Sequence, residues 1–199
     1  INITNCHFTN CQAPEGGALF FVDGDEEGDE ETVINYCTFD RCQGFAGSAI
    51  LCKSYKFELS HTIISGSRQY YLNLDDYLIQ SFLFVFLNED GVTPVVTNCT
   101  FTDNEQCVDF QSFNPAPAIL SSGKPNSITF KNCNITKNNK DESIDSIFNL
   151  EFIFSETLTF DECLFEENKG QCIKQESEII CNTIINKCRF NNNYGSIGS

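Results

Sequence analysis

The chain has no methionine, no tryptophan and only two histidines among its 199 residues. It contains no Cys-x-x-Cys pair, and His7 and His61 stand alone, so no zinc-ligand spacing is present and no metal or cofactor is expected. Basic residues are few: 12 Lys and Arg stand against 28 Asp and Glu, for a net charge of −16. Nothing in that balance neutralises nucleic-acid phosphates, and the basic clusters that hold an anionic membrane are missing. The longest apolar run, Tyr77 to Leu87, is too short to cross a bilayer, so no membrane span is expected in this chain. Alanine is scarce and no sustained 3.6-residue period appears, which leaves helices without support. With neither an initiator methionine nor a signal peptide, a mature chain or a fragment of a longer one is expected.

What is present is a core and a great deal of cysteine. The chain is 41% hydrophobic and carries 19 Phe, enough to bury an interior. Its 12 cysteines favour an oxidising compartment. Three N-x-[ST] triplets, at Asn2, Asn98 and Asn134, fit the same extracellular or cell-surface setting.

Internal repetition organises these residues. Asn5-Cys-His-Phe-Thr-Asn-Cys11, Tyr36-Cys-Thr-Phe-Asp-Arg-Cys42 and Asn98-Cys-Thr-Phe-Thr-Asp-Asn104 align, as do segments starting at Asn132, Glu162 and Lys187. A degenerate copy, Ser60-His-Thr-Ile-Ile-Ser-Gly66, fits between the second and third. The anchors are then Cys6, Cys37, His61, Cys99, Cys133, Cys163 and Cys188, spaced about 30 residues apart. Each anchor shares parity with the residue two later (Phe8, Phe39, Ile63, Phe101, Ile135, Phe165, Phe190), the period-2 mark of a strand with one buried face. Three residues further on stand Cys11, Cys42, Gly66, Asn104, Asn138, Asn168 and Asn193, read as a turn position because Gly and Asn accept left-handed backbone.

Two more apolar stretches accompany most copies, for example Gly16-Gly-Ala-Leu-Phe-Phe21 and Thr32-Val-Ile34. Three short strands per repeat make one coil of an all-β, right-handed parallel β-helix, a β-solenoid of about seven coils rising roughly 4.8 Å per coil. Residues 1–199 read as one domain with insertions near 23–31 and 67–97.

Phe101-Thr-Asp-Asn104, Phe165-Glu-Glu-Asn168 and Phe190-Asn-Asn-Asn193, together with Gly16-Gly-Ala-Leu19 and the near match Gly47-Ser-Ala-Ile50, resemble the repeats of the polymorphic membrane proteins of intracellular bacteria and related protist surface proteins. The resemblance implies a right-handed β-helix on a cell surface with a role in adhesion, meeting a cell-surface or glycan receptor. A head-to-tail extracellular fibre, self-associating through open solenoid ends, is the alternative.

A polysaccharide lyase or hydrolase is a third reading. It needs clustered carboxylates beside a cation on one face, and Asp75, Asp76 and Arg68 come nearest, although a polar turn explains them. His61 reads as a histidine on the buried face. The acidic stretch Asp23 to Glu31 opens like a calcium loop, but Ile34 stands where the closing Glu is required, so a solvated loop is expected. Glycans are expected on Asn98 and Asn134, whose side chains flank inward cysteines and so point outward, and on Asn2 near the chain end. Cys11 and Cys42, stacked in consecutive coils, are the expected disulfide; Cys6 with Cys37, Cys99 with Cys133 and Cys163 with Cys188 follow by the same logic, against the alternative that buried thiols simply pack.

Overall fold

The computed structural model describes residues 1–22, 31–53, 56–69, 84–86, 94–105, 120–122, 127–139, 146–149, 157–174 and 182–195. Every strand among them is parallel to its neighbours, and no helix occurs among the described residues. Two sheets of seven strands run side by side. Sheet A stacks Asn2–Thr4, Glu31–Asn35, Lys56–Ser60, Val95–Thr97, Ser127–Lys131, Thr157–Asp161 and Asn182–Asn186. Sheet B stacks His7–Thr9, Thr38–Asp40, Ile63–Ser65, Thr100–Thr102, Asn134–Thr136, Leu164–Glu166 and Arg189–Asn191. Each coil contributes one strand to each sheet, so the fold is a parallel β-solenoid of seven coils.

The rest of each coil closes the tube. In the first three coils it splits into two strands, Gln12–Glu15 then Leu19–Val22, Gln43–Ala46 then Ile50–Lys53, and Arg68–Gln69 then Phe84–Phe86. These coils therefore carry four strands rather than three. In the first two, the Gly-Gly-Ala-Leu segment and its near match make the split. Gly16 and Gly47 have φ of 56° and 66°, and a Cβ on either would run into the carbonyl of Leu19 or Ile50.

The interior is built of ladders. In sheet A, Ile3, Ile34, Leu59, Val96, Phe130, Phe160 and Ile185 stand in register, one per coil. In sheet B the row is Phe8, Phe39, Ile64, Phe101, Ile135, Phe165 and Phe190. Phe101 and Phe165 are fully buried. Neighbouring Phe rings stack face to face, at 4.8 Å for Phe8 with Phe39 and 4.6 Å for Phe165 with Phe190. Each fully buried side chain of this size contributes about 1.5–3 kcal/mol by removing apolar surface from water.

Two sequence expectations need correction. Ile64, not Ile63, pairs with Phe39, so the third copy is shifted by one residue. Its anchor is Thr62, fully buried, whereas His61 and Ile63 are exposed. A one-residue slip in a strand turns every side chain to the other face. Thr62 fills the cysteine position because it makes the same bond. Its hydroxyl donates to the Ser60 carbonyl at 2.9 Å, as the Cys37 and Cys99 thiols do to Asn35 and Thr97 at 3.3 and 3.2 Å.

The second correction concerns the turns. Left-handed backbone falls at Gly66 as expected, but one residue earlier than expected in the other coils, at Asn10, Arg41, Asp103, Lys137, Glu167 and Asn192. A matching set precedes the anchors: Asn5, Tyr36, His61, Asn98, Asn132, Glu162 and Lys187. Each such residue reverses the hydrogen-bonding direction at a corner. Tyr36 N–H donates forward to Ser60, for instance, whereas Thr38 N–H donates back to Cys6. That satisfied ladder holds bulky side chains in a conformation they ordinarily avoid. Asn104, Asn138, Asn168 and Asn193 are therefore not the left-handed residues. They point inward as an amide ladder, and the first three are buried.

Candidate binding cleft on the outer face

Because the interior is filled by apolar ladders, chemistry is left to the outward rows. On sheet B, His7, Thr38, Ile63, Thr100, Asn134, Leu164 and Arg189 form one outward row in register. Beside it runs the corner row from Asn5 to Lys187, whose left-handed backbone lifts each side chain clear of the sheet. Near the last coils the two rows bound an open cleft of about 450 Å³, lined by Asn134, Glu162, Cys163, Leu164, Lys187 and Arg189.

The charges are arranged unevenly. Lys187 Nζ donates to Glu162 Oε1 at 2.9 Å, which cancels one cation against one carboxylate and raises the Lys187 pKa. Asn186 Nδ2 occupies Asp161 Oδ1 at 2.6 Å, and Asn191 Nδ2 lies 3.5 Å from Glu166 Oε1. Arg189 is exposed and has no ion pair among the described residues. The cleft therefore holds a free guanidinium, an amide at Asn134 and an apolar patch at Leu164, on a chain whose net charge is −16.

The corner row carries a second feature. Tyr36 and His61 stack at 4.6 Å with an interplanar angle of 18°, and Asn98 Nδ2 lies 3.3 Å from His61 Nε2. The histidine expected on the buried face is thus an exposed ring in an outer stack. The parity argument missed it because residues 60–66 read equally well in two registers.

The three sequon asparagines, Asn2, Asn98 and Asn134, are all exposed. Asn2 Oδ1 accepts the Thr4 hydroxyl at 2.9 Å. Of the acid–base candidates, Arg68 pairs with Glu105 at 2.9 Å across one coil step, while Asp75 and Asp76 lie outside the described residues. The acidic stretch lies outside them too, apart from Glu31, as do Cys107, Cys181 and most of the 67–97 insertion.

The ten described cysteines are thiols in this structure, so no Cys11–Cys42 bridge is formed in it. Nor are Cys6, Cys37, Cys99, Cys133, Cys163 and Cys188 paired. In a straight parallel ladder stacked Cβ atoms sit about one strand spacing apart, slightly more than a relaxed disulfide accepts. Each thiol instead turns to a carbonyl, as Cys163 does to Asp161 at 3.5 Å and Cys42 to Phe8 at 3.7 Å. Burial pushes the Cys42 thiol up to about 11 and Cys172 to about 12. At Cys133 the Cys163 thiol pulls down, but Cys99 and burial outweigh it and the value reaches about 12. These groups are protonated at neutral pH and poor nucleophiles.

No family model matches the chain, and neither a curated protein nor a solved structure matches it.

Proposed function

We propose that this chain is an extracellular, cell-surface β-solenoid that acts in adhesion rather than catalysis. One observation carries the reading. The inner faces of both seven-stranded sheets are given over to packing, while the outer face bears a cleft in which Lys187 is paired with Glu162 and Arg189 has no ion pair among the described residues. Polar recognition sites with a few convergent groups on a rigid scaffold suit binding. The exposed sequon residues Asn98, Asn134 and Asn2 are the proposed glycan attachment points.

Adhesion is tested with beads coated with the full chain and presented to cultured cells. Saturable capture that soluble chain competes away supports the reading. Capture no better than uncoated beads, or depolymerisation of acidic polysaccharide by the chain, overturns it.

A second reading is a head-to-tail fibre, in which another copy covers the last described coil. There Ile185 and Phe190, which continue the inward ladders, are 49% and 46% exposed. A further coil covers such residues, whether it comes from the same chain or from another copy. Electron microscopy of native material separates the two: fibres with a repeat near the rod length support the polymer, and isolated rods contradict it.

A further inference from the structure

We propose that the cleft bounded by Asn134, Leu164, Glu162, Lys187 and Arg189 binds a carboxylate-bearing sugar. This rests on the adhesive reading and names the ligand class of its site.

The argument starts from charge. On a chain of −16, long-range potential repels anions, so an anion is held only where a cation can pair with it directly. In the cleft Lys187 is engaged by Glu162 at 2.9 Å and feels Asp161 as well. Arg189 lines the same cleft and has no ion pair among the described residues. A planar guanidinium is suited to bidentate pairing with a carboxylate.

The remaining lining fits the rest of a sugar ring. Asn134 and the Lys187–Glu162 pair offer donors and acceptors for hydroxyls. Leu164, half-buried between Asn134 and Arg189 in the outward row, offers the apolar surface on which a pyranose face packs. The cleft volume of about 450 Å³ lies in the range of small-ligand sites, about 300–1,000 Å³. The row is also periodic: Asn134, Leu164 and Arg189 stand one coil apart, about 4.8 Å per step, comparable to a sugar ring's width.

Asn134 ties ligand binding to modification. An N-glycan there grows out of the cleft itself and excludes a free ligand. Thr136→Ala removes the sequon without altering any lining residue, so the full chain carrying Thr136→Ala is the form to test.

Calorimetry with trigalacturonate and with sialyllactose tests the proposal, each paired with its uncharged counterpart, the methyl ester and lactose. The expected result is binding of one acidic sugar at least tenfold tighter than its neutral partner, weakening as salt rises. Preference for trigalacturonate identifies a uronate polymer, and preference for sialyllactose a terminal sialic acid. Arg189→Ala is expected to lose at least tenfold, with Arg189→Lys intermediate and both variants unfolding at the wild-type temperature. The fully glycosylated chain is expected to bind more weakly than its Thr136→Ala form. Binding of neither acid, equal binding of acid and neutral partner, or full affinity in Arg189→Ala overturns the proposal. Cell capture that persists without binding of either acid sinks the ligand assignment and leaves adhesion standing. Acid binding without cell capture does the reverse.

Discussion

The side-chain amide of Asn138 donates to Asn168 Oδ1 at 3.0 Å and to the Phe101 carbonyl at 2.9 Å, so one residue ties three successive coils together. Its own Oδ1 accepts from Asn104 twice, from the side-chain amide at 3.0 Å and the backbone N–H at 3.3 Å. All of this is buried, where hydrogen bonds polarise one another and unmade ones are costly.

Asn138→Ala is therefore expected to destabilise the solenoid by about 3–5 kcal/mol, since it orphans donors and acceptors in two neighbouring coils at about 1–3 kcal/mol each. Asn138→Asp keeps the acceptor half but cannot donate to Asn168, and its loss is expected to be comparable. Denaturant unfolding measures both. A cost below about 1 kcal/mol for either would contradict the ladder.

The Phe ladder makes a positional prediction. Phe101 is fully buried and Phe190 is 46% exposed, although they hold equivalent positions in their coils. Phe101→Ala is expected to cost about 3–5 kcal/mol, and Phe190→Ala less than half of that. Equal costs would mean that the stacking order is wrong.

Thr62 and His61 test the register of the third coil. Thr62→Val removes the hydroxyl that donates to Ser60 and accepts the Cys37 N–H at 3.2 Å, for an expected loss of about 1–3 kcal/mol. Thr62→Cys restores the residue found in the other coils and is expected to be milder. His61→Ala is expected to stay within about 0.5 kcal/mol, since the ring is exposed. The opposite ranking would put His61 back on the buried face.

The buried thiols predict alkaline sensitivity. For Cys42 and Cys133 the folded value, about 11 and about 12, exceeds the ordinary 9.0. The folded state therefore holds its protons more tightly than the unfolded state. That contribution is fully present below pH 9 and is lost as pH rises from there through the folded values. Reduced protein is expected to show falling thermal midpoints over that window, with Cys133 unmodified by alkylating agents at pH 8 until it unfolds. Rapid native alkylation of Cys133 would contradict the burial.

The Cys11–Cys42 pair is the proposed exception under oxidising conditions. Cys11 is only half-buried, and the two residues hold equivalent positions in the first two coils. Closing that loop stabilises by roughly 3–4 kcal/mol in the chain-entropy model. Non-reducing peptide mapping of secreted material is expected to link Cys11 to Cys42; a freely alkylated Cys11 would refute it.

The repeat made the architecture legible in the sequence, because each coil repeats the same alternation of Cys, Phe and polar residues. The slip at His61 arose where Ser60-His-Thr-Ile-Ile-Ser offers two isoleucines and no cysteine, so parity alone cannot choose. The Asn row was visible, but its burial was not. Asn at a corner suggests left-handed backbone, whereas the fold puts that strain on Asp103, Lys137 and Glu167 and turns the amides inward. The cleft was hidden for another reason: Asn134, Leu164 and Arg189 meet only through coil stacking, and no local motif joins them.

The central claim is that this rod is displayed outside the cell, and labelling intact source cells with an antibody against the chain tests it most directly. The account predicts surface label on unpermeabilised cells, on a chain whose mass falls when N-glycans are enzymatically removed. Label that appears only after permeabilisation, on a chain of unmodified mass, would contradict it.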